Sequence, residues 1–294
     1  MRCGFIAIAG APNAGKSTLL NKILGMKLAI TSDKPQTTRQ RLLGVYSAEE
    51  TQIVFLDTPG LHKARNHLNK RMMEAAGEAL RQADGILFLA DVSKRGMLDA
   101  GRVAGLVKEA GKPVILGLNK IDALADKKEL LPLLRTADSW GEWLALLPLS
   151  ARSGLGVREL LDELRRLLPA GPALFPEETV TDLSLRFLAG ELVREKIFRL
   201  TRQDIPYAAA VTVDEFLEAR GKGAATRISA TVHVERNSQK AIIIGKRGAM
   251  LKQIGTEARM DMERLLGGPV FLSLLVRVEE NWAQSNKGLN KLGY

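Results

Sequence analysis

At 294 residues the chain is long enough for one α/β domain of about 170 residues plus a second unit. A single cysteine, Cys3, excludes an intramolecular disulfide and a cysteine-built metal cluster and points to a reducing compartment, while no apolar run approaches the roughly 18 residues that span a bilayer. The net charge of +10 invites nucleic acid or a membrane surface, but the excess is spread, with 25 Lys+Arg against 18 Asp+Glu in residues 1–176 and 18 against 15 in residues 177–294, so a nucleic-acid assignment has to rest on a motif.

The first apolar run, Phe5-Ile-Ala-Ile-Ala9, is short and uninterrupted, as in a strand buried on both faces, and is better explained so than as a signal peptide. It runs into Gly10-Ala-Pro-Asn-Ala-Gly15-Lys16-Ser17, two glycines with four residues between them followed by Lys and Ser, and residues 17–24 then carry helical apolar spacing. A glycine loop between a strand and a helix N-terminus cradles phosphates with its backbone N–H groups. Asn13, Ala14, Gly15, Lys16, Ser17 and Thr18 are the candidate phosphate contacts, with Lys16 reaching the β and γ phosphates and the Ser17 hydroxyl binding Mg2+. A plain glycine turn with a chance Lys is the bland alternative. Residues 26–41 form a candidate first switch, in which Thr37 or Thr38, with Thr38 favoured, binds the metal or positions the γ phosphate.

A strand is expected over residues 42–46 and another over Gln52-Ile-Val-Phe-Leu56. Asp57 would emerge at the C-terminal end of the second, beside the phosphate loop, as a metal partner, and Gly60 would offer a backbone N–H to a γ phosphate present in GTP and absent from GDP. Residues 60–66 are therefore a candidate second switch. Where many small GTPases carry a water-orienting Gln after this glycine, the chain has Leu61, which predicts slow intrinsic hydrolysis. His62 and His67 read as solvated loop residues rather than bases, and Lys63, Arg65, Lys70 and Arg71 as a solvated basic face.

Helices are expected over residues 67–82, 98–110, 126–136 and 156–168, with strands over 85–91, 113–118 and 143–149. Two strand ends carry base-selecting candidates: Asn119, Lys120 and Asp122, whose carboxylate can accept from N1–H and the exocyclic amine of guanine, and Ser150, Ala151 and Arg152, which close the pocket. About six strands alternating with helices make a doubly wound α/β sheet, whose ligands sit beyond the strand carboxyl ends, where all these motifs lie. The G domain is expected over residues 1–168, and the Pro/Gly-rich stretch that follows reads as a linker over 169–180.

Beyond it, residues 181–294 read as an α+β unit: an amphipathic helix over 183–202, strands over 207–218, 227–236 and 270–278, and between the last two a helix, the turn Gly245-Lys246-Arg247-Gly248 and a second helix over 249–266. A GXXG turn of this kind clamps single-stranded nucleic-acid backbone in KH modules. Lys246, Arg247 and Lys252 supply charge, and Ile242, Ile243 and Ile244 are expected to wall an apolar groove for bases, whereas Met250, Ile254 and Met262 read as core. A lone GXXG is more often a simple helix–helix turn; the α-β-β-α-α-β order and the paired basic residues favour RNA.

With these motifs in one order, the chain resembles the Era family of ribosome-associated GTPases over nearly its full length. The stretch from Gln239-Lys-Ala-Ile-Ile-Ile-Gly-Lys-Arg-Gly248 through Ile254-Gly-Thr-Glu-Ala-Arg259 is similar to that family's signature. The resemblance implies a P-loop NTPase, Ras-like G domain followed by a type II KH domain, GTP/GDP as ligand with Mg2+ held by Ser17, Thr38 and Asp57, and catalysis resting on Lys16, Thr38, Asp57 and Gly60. It implies binding to the 3′ end of 16S ribosomal RNA and assistance to 30S maturation in the cytoplasm, by a monomer, with peripheral association at the cytoplasmic face of the inner membrane left open. Asn13 with no downstream Gln implies stimulation by K+. A nucleotide-gated RNA tether with incidental hydrolysis is the competing reading, and a membrane-surface GTPase draws on charge alone.

Overall fold

The structure, a computed structural model, describes residues 1–62, 67–221 and 223–294; Lys63 and Arg65 of the expected second switch lie outside the described residues. The chain divides near residue 182 into two compact units. No helix among the described residues is long and apolar enough to cross a membrane.

The first unit runs β1 (Arg2–Gly10), α1 (Lys16–Leu24), β2 (Leu42–Ala48), β3 (Thr51–Asp57), α2 (His67–Gln82), β4 (Gly85–Asp91), α3 (Lys94–Glu109), β5 (Val114–Asn119), α4 (Leu130–Asp138), β6 (Ala145–Pro148) and α5 (Val157–Leu167). Its strands order as β2-β3-β1-β4-β5-β6, parallel except for β2, which returns antiparallel along β3. The central strands are apolar on both faces because helices cover both, so β1, β3, β4 and β5 are almost wholly buried. The reversal of order between β1 and β4 opens a crevice at the strand carboxyl ends.

Helix α3 begins at Lys94, four residues before the expected start, because Ser93 caps it: the Ser93 Oγ accepts from the Gly96 N–H at 3.1 Å. The expected helix at 126–136 divides into a 3₁₀ turn, Lys127–Glu129, and α4. Residues after α5 are laced onto the sheet. The Cys3 N–H donates to Pro169 O at 3.0 Å, Ala170 bridges Arg2, and the Val45 N–H donates to Val180 O at 2.7 Å. Gln52, 1% exposed, gives its amide N–H to Phe175 O at 2.8 Å and accepts the Leu174 and Phe175 N–H groups at 2.8 and 3.0 Å.

The second unit comprises α6 (Leu185–Leu200), α7 (Ile205–Ala208), β7 (Ala210–Leu217), β8 (Thr226–Val234), α8 (Asn237–Ile244), α9 (Ala249–Leu266), β9 (Val270–Val278) and α10 (Asn286–Lys291). Its sheet is ordered β7-β8-β9, with β8 antiparallel to β7 and parallel to β9. Val193 and Ile197 of α6, Ile243 of α8 and Ile254, Ala258 and Met262 of α9 form the core over one face. The short α10 has no counterpart in the elements expected from the sequence, and it is capped by Ser285, whose Oγ accepts the Gly288 N–H at 3.1 Å. Trp282, just before it, is buried with its Nε1–H donating to Ala208 O at 2.9 Å.

The isoleucine run departs from the expected apolar wall. Successive helical residues point about 100° apart, so three neighbours cannot share one face: Ile243 is 0% exposed and belongs to the core, Ile244 is half-buried and Ile242 is 49% exposed. Ile243→Ala should therefore cost about 2–5 kcal/mol of stability, whereas Ile242→Ala should stay within about 0.5 kcal/mol. Urea unfolding of the two variants checks this; equal losses would contradict the opposite placement of the two side chains.

Candidate functional site

A cleft of about 570 Å³ opens at the carboxyl end of the first unit's sheet. Its walls bring together Asn13, Ala14, Gly15, Lys16, Ser17, Thr18, Thr37, Thr38, Gly60 and Lys120, residues that stand far apart in the chain. The phosphate loop turns through Asn13 at φ 65° and Gly15 at φ 97° into the N-terminus of α1. At Gly15 a Cβ would stand 2.1 Å from the Asn119 amide, and at Gly60 one would stand 2.8 Å from the Pro12 backbone, so both positions require glycine for close approach.

Three oxygen-bearing side chains meet on one side of the cleft. The Ser17 hydroxyl donates to Asp57 Oδ2 at 2.7 Å and lies 2.9 Å from Thr38 Oγ1. The other carboxylate oxygen, Asp57 Oδ1, is buried with no hydrogen-bond partner. Two hydroxyls and a carboxylate with an unsatisfied oxygen are hard donors suited to Mg2+. The metal set expected from the sequence therefore fits such an ion. Thr37 turns its hydroxyl to Lys34 O at 2.9 Å, within its own loop, so Thr38 is the threonine facing Ser17.

Burial sets the electrostatics. Desolvation lowers the Lys16 ammonium to about 8 against the pull of Asp57, and desolvation raises Asp57 to about 6 against the opposing effects of Lys16 and the Ser17 hydrogen bond. The Lys16 Nζ rests on Gly10 O and Ala11 O at 3.2 and 3.1 Å. A phosphate in the cleft would provide the countercharge that burial denies it.

At the base-selecting end Asn119 acts as a bracket. Its Nδ2–H donates to Ala14 O at 2.8 Å and its Oδ1 accepts the Ala151 N–H at 2.9 Å, so its amide joins the phosphate loop to the Ser150–Ala151 loop. Ser150 is fully buried, with its Oγ accepting the Ser153 N–H, whereas Asp122 and Arg152 are exposed and do not line the enclosed cleft. Lys120, at φ 71°, pairs with Asp91 at 2.7 Å; that carboxylate was missed in the sequence, although its place at the end of β4 was the available signal.

The switch segments are tied to the cleft and to each other. Leu61 is 3% exposed and packed in the sheet core, with its N–H on Gly10 O at 3.0 Å, so it presents nothing to an attacking water. Asn13 donates to Asp33 O at 2.8 Å. His62 departs from the expectation of a solvated loop residue: it is half-buried, with its Nδ1 2.6 Å from Gly60 O and its Nε2 3.4 Å from the Gln36 amide nitrogen.

In the second unit Gly245 (φ 72°), Arg247 (φ 51°) and Gly248 (φ 79°) make a sharp turn between α8 and α9. Lys246, Arg247 and Lys252 are exposed around it, with Ile242 and Ile244 on the adjoining helix. The turn places two cations and two glycines against an apolar shoulder, which suits a sugar-phosphate backbone with bases laid beside it.

Two family models match the chain, a 50S ribosome-binding GTPase over residues 5–120 and a KH domain over residues 204–283. A protein named GTPase Era from Geobacter metallireducens is 47% identical over 293 residues, spanning 100% of this chain and 98% of that protein. Its namesake from Lacticaseibacillus paracasei is 46% identical over 291 residues, covering 99% and 96%. Among solved structures, a point variant of Aquifex aeolicus Era bound to GDP·AlF4− superposes with a TM-score of 0.93 at 41% identity, and Era in complex with MgGDPNP and nucleotides 1506–1542 of 16S ribosomal RNA with 0.95 at 40%; each comparison covers 100% of this chain and 99% of the other.

The buried Asp57 charge has a measurable sign. Because its folded pKa is raised from 3.8 to about 6, ionisation costs stability as pH rises through that window, fully above about 6 and not at all below 3.8. Nucleotide-free Asp57→Asn should therefore be more stable than the parent at pH 7.5, by up to about 3 kcal/mol, and lose that advantage by pH 4. Urea unfolding at the two pH values measures it; an advantage unchanged by pH would refute the buried-charge account.

Proposed function

The chain belongs to the GTPase Era family, and on that footing we propose that it binds and hydrolyses GTP in the cleft of its first unit and holds the 3′ end of 16S ribosomal RNA on the KH unit during 30S maturation. The observation that carries the nucleotide half is the convergence of Ser17, Thr38 and the orphaned Asp57 oxygen beside Lys16. The RNA half is supported by the exposed Gly245–Gly248 turn with its cations, and by the 16S ribosomal RNA nucleotides held by the solved relative.

In this reading Lys16 and the N–H groups of the phosphate loop hold the β and γ phosphates, and Ser17, Thr38 and Asp57 hold Mg2+. When bound, that ion would supply positive charge against the negative charge developing on the phosphoryl group. Gly60 sits where its N–H senses the γ phosphate, and the Asn119 bracket keeps the base-selecting loops, including Asp122 and Ala151, in register with the phosphate loop. Leu61 is held in the core and orients no water, so intrinsic turnover is slow. On the same reading the chain works as a monomer in the cytoplasm, with attachment to the inner membrane resting on its net charge alone.

If GTP tightens RNA binding, RNA must tighten GTP binding by the same factor. Fluorescence anisotropy with a short RNA copying the 16S 3′ end, at fixed salt, should show tighter binding with a non-hydrolysable GTP analogue than with GDP. Gly248→Asp, which sets a carboxylate where the RNA backbone would run, should abolish it; a Cβ there meets no atom within 4 Å, but φ 79° strains any side chain, so the variant's urea midpoint is measured alongside. Equal binding in both nucleotide states would leave a tether without a timer.

A monovalent cation beside Asn13 would supply positive charge near the phosphates, where Leu61 offers no polar group. Steady-state hydrolysis should run severalfold faster in K+ than in Na+ at equal ionic strength, and Asn13→Ala should remove the difference; equal rates in both salts would refute this role.

A further inference from the structure

His62 occupies a position that the nucleotide chemistry above does not use. Its ring touches the two segments that flank the γ-phosphate end of the cleft, through Gly60 O on one side and the Gln36 amide on the other. A carbonyl oxygen only accepts, so the 2.6 Å contact requires the proton on Nδ1, and in the neutral ring this leaves the Nε2 lone pair to accept the Gln36 N–H. Gln36 is itself held at φ 63°, an unusual conformation for a residue with a side chain, and stands two positions before Thr38. On the other side of the contact, the His62 N–H meets the Met73 Sδ at 3.4 Å and Leu61 is packed in the core. The histidine is thus anchored at its backbone and reaches across with its ring.

We propose that His62 and Gln36 form a latch that joins the two switch segments and sets the preference for GTP over GDP, with His62 a positioning residue for Gly60 and Thr38. The proposal deepens the reading of the cleft as a GTP site and rests on it. Thr38 can meet Ser17 only while residues 36–38 lie against the cleft, and Gly60 can offer its N–H only while its peptide is held in one orientation. The ring fixes both at once. A γ phosphate, which needs both groups, then meets segments already in place, whereas GDP needs neither and gains nothing from the latch. Because a ligand shifts an equilibrium only by its differential affinity for the two states, the latch acts on the ratio of the two affinities.

The test uses the full chain and two fluorescent probes, mant-GDPNP and mant-GDP, with Mg2+ present. Gln36→Ala should weaken mant-GDPNP about fivefold, the scale of one lost hydrogen bond, and His62→Ala, which also loses the bond to Gly60 O, at least as much, each leaving mant-GDP within about twofold. The double variant should lose no more than His62→Ala alone, since that substitution already removes the link to Gln36. His62→Asn, which keeps a short donor near Gly60 but cannot span to Gln36, should behave as Gln36→Ala does, and serves if the alanine variant folds poorly. Parallel losses for both probes would make His62 a structural residue only, and multiplying losses in the double variant would show that the two act separately; either outcome overturns the latch. Failure of the parent protein to bind mant-GDP at all would instead overturn the cleft assignment on which the latch rests.

Discussion

One buried side-chain amide sets the geometry on which the cleft depends. Asn119 gives its N–H to Ala14 O in the phosphate loop and takes the Ala151 N–H from the loop after β6. In the low-dielectric interior those bonds are strong and their loss leaves buried groups unsatisfied. The bracket also dictates its neighbour, because the amide occupies the volume where a Cβ on residue 15 would lie. Two loops brought together by the fold, one made for phosphates and one for a base, are thereby held at a fixed spacing. A nucleotide bound as proposed would span that spacing, with the selectivity of one end set relative to the grip of the other.

The phosphate end is built in imbalance. Lys16 and Asp57 are both buried and both shifted against their charges, and one carboxylate oxygen is left without a partner. Such a site is costly when empty and is relieved by an anion beside the lysine and a cation beside the aspartate. Leu61 complements this arrangement. By packing into the sheet core it anchors the segment that follows Gly60, and it turns no polar group toward the cleft.

Much of this was legible in the sequence because the chemistry of nucleotide binding restricts residue type at fixed spacing. Gly15, Lys16, Ser17, Asp57 and Asn119 fall at strand ends, and alternating strand and helix patterns locate those ends. What was not legible follows from geometry that spacing hides. Three consecutive isoleucines looked like one apolar wall, yet a helix turns each through about 100°, which sends Ile243 into the core and Ile242 outward. The early start of α3 had a signal, Ser93 as a cap, that apolar periodicity alone overlooks. The contact of His62 with Gln36 joins residues 26 apart in two irregular segments, and no local pattern announces it.

The stretch after α5 reads as a linker by its prolines and glycines, yet it is bonded along the outer strand of the first unit, through Val45 to Val180 and through Thr181 to Leu43 O at 2.6 Å. An outermost strand with free backbone groups is a template for pairing with another molecule. These residues occupy part of that template on β2. A fragment cut at Leu168 would keep every nucleotide-binding motif and still bare that margin together with the Gln52 amide, inviting edge-to-edge self-association, whereas a fragment cut at Asp182 would carry its own guard against it. Solubility of the nucleotide unit is in this sense encoded outside its motifs, in a tract whose composition advertises only slack.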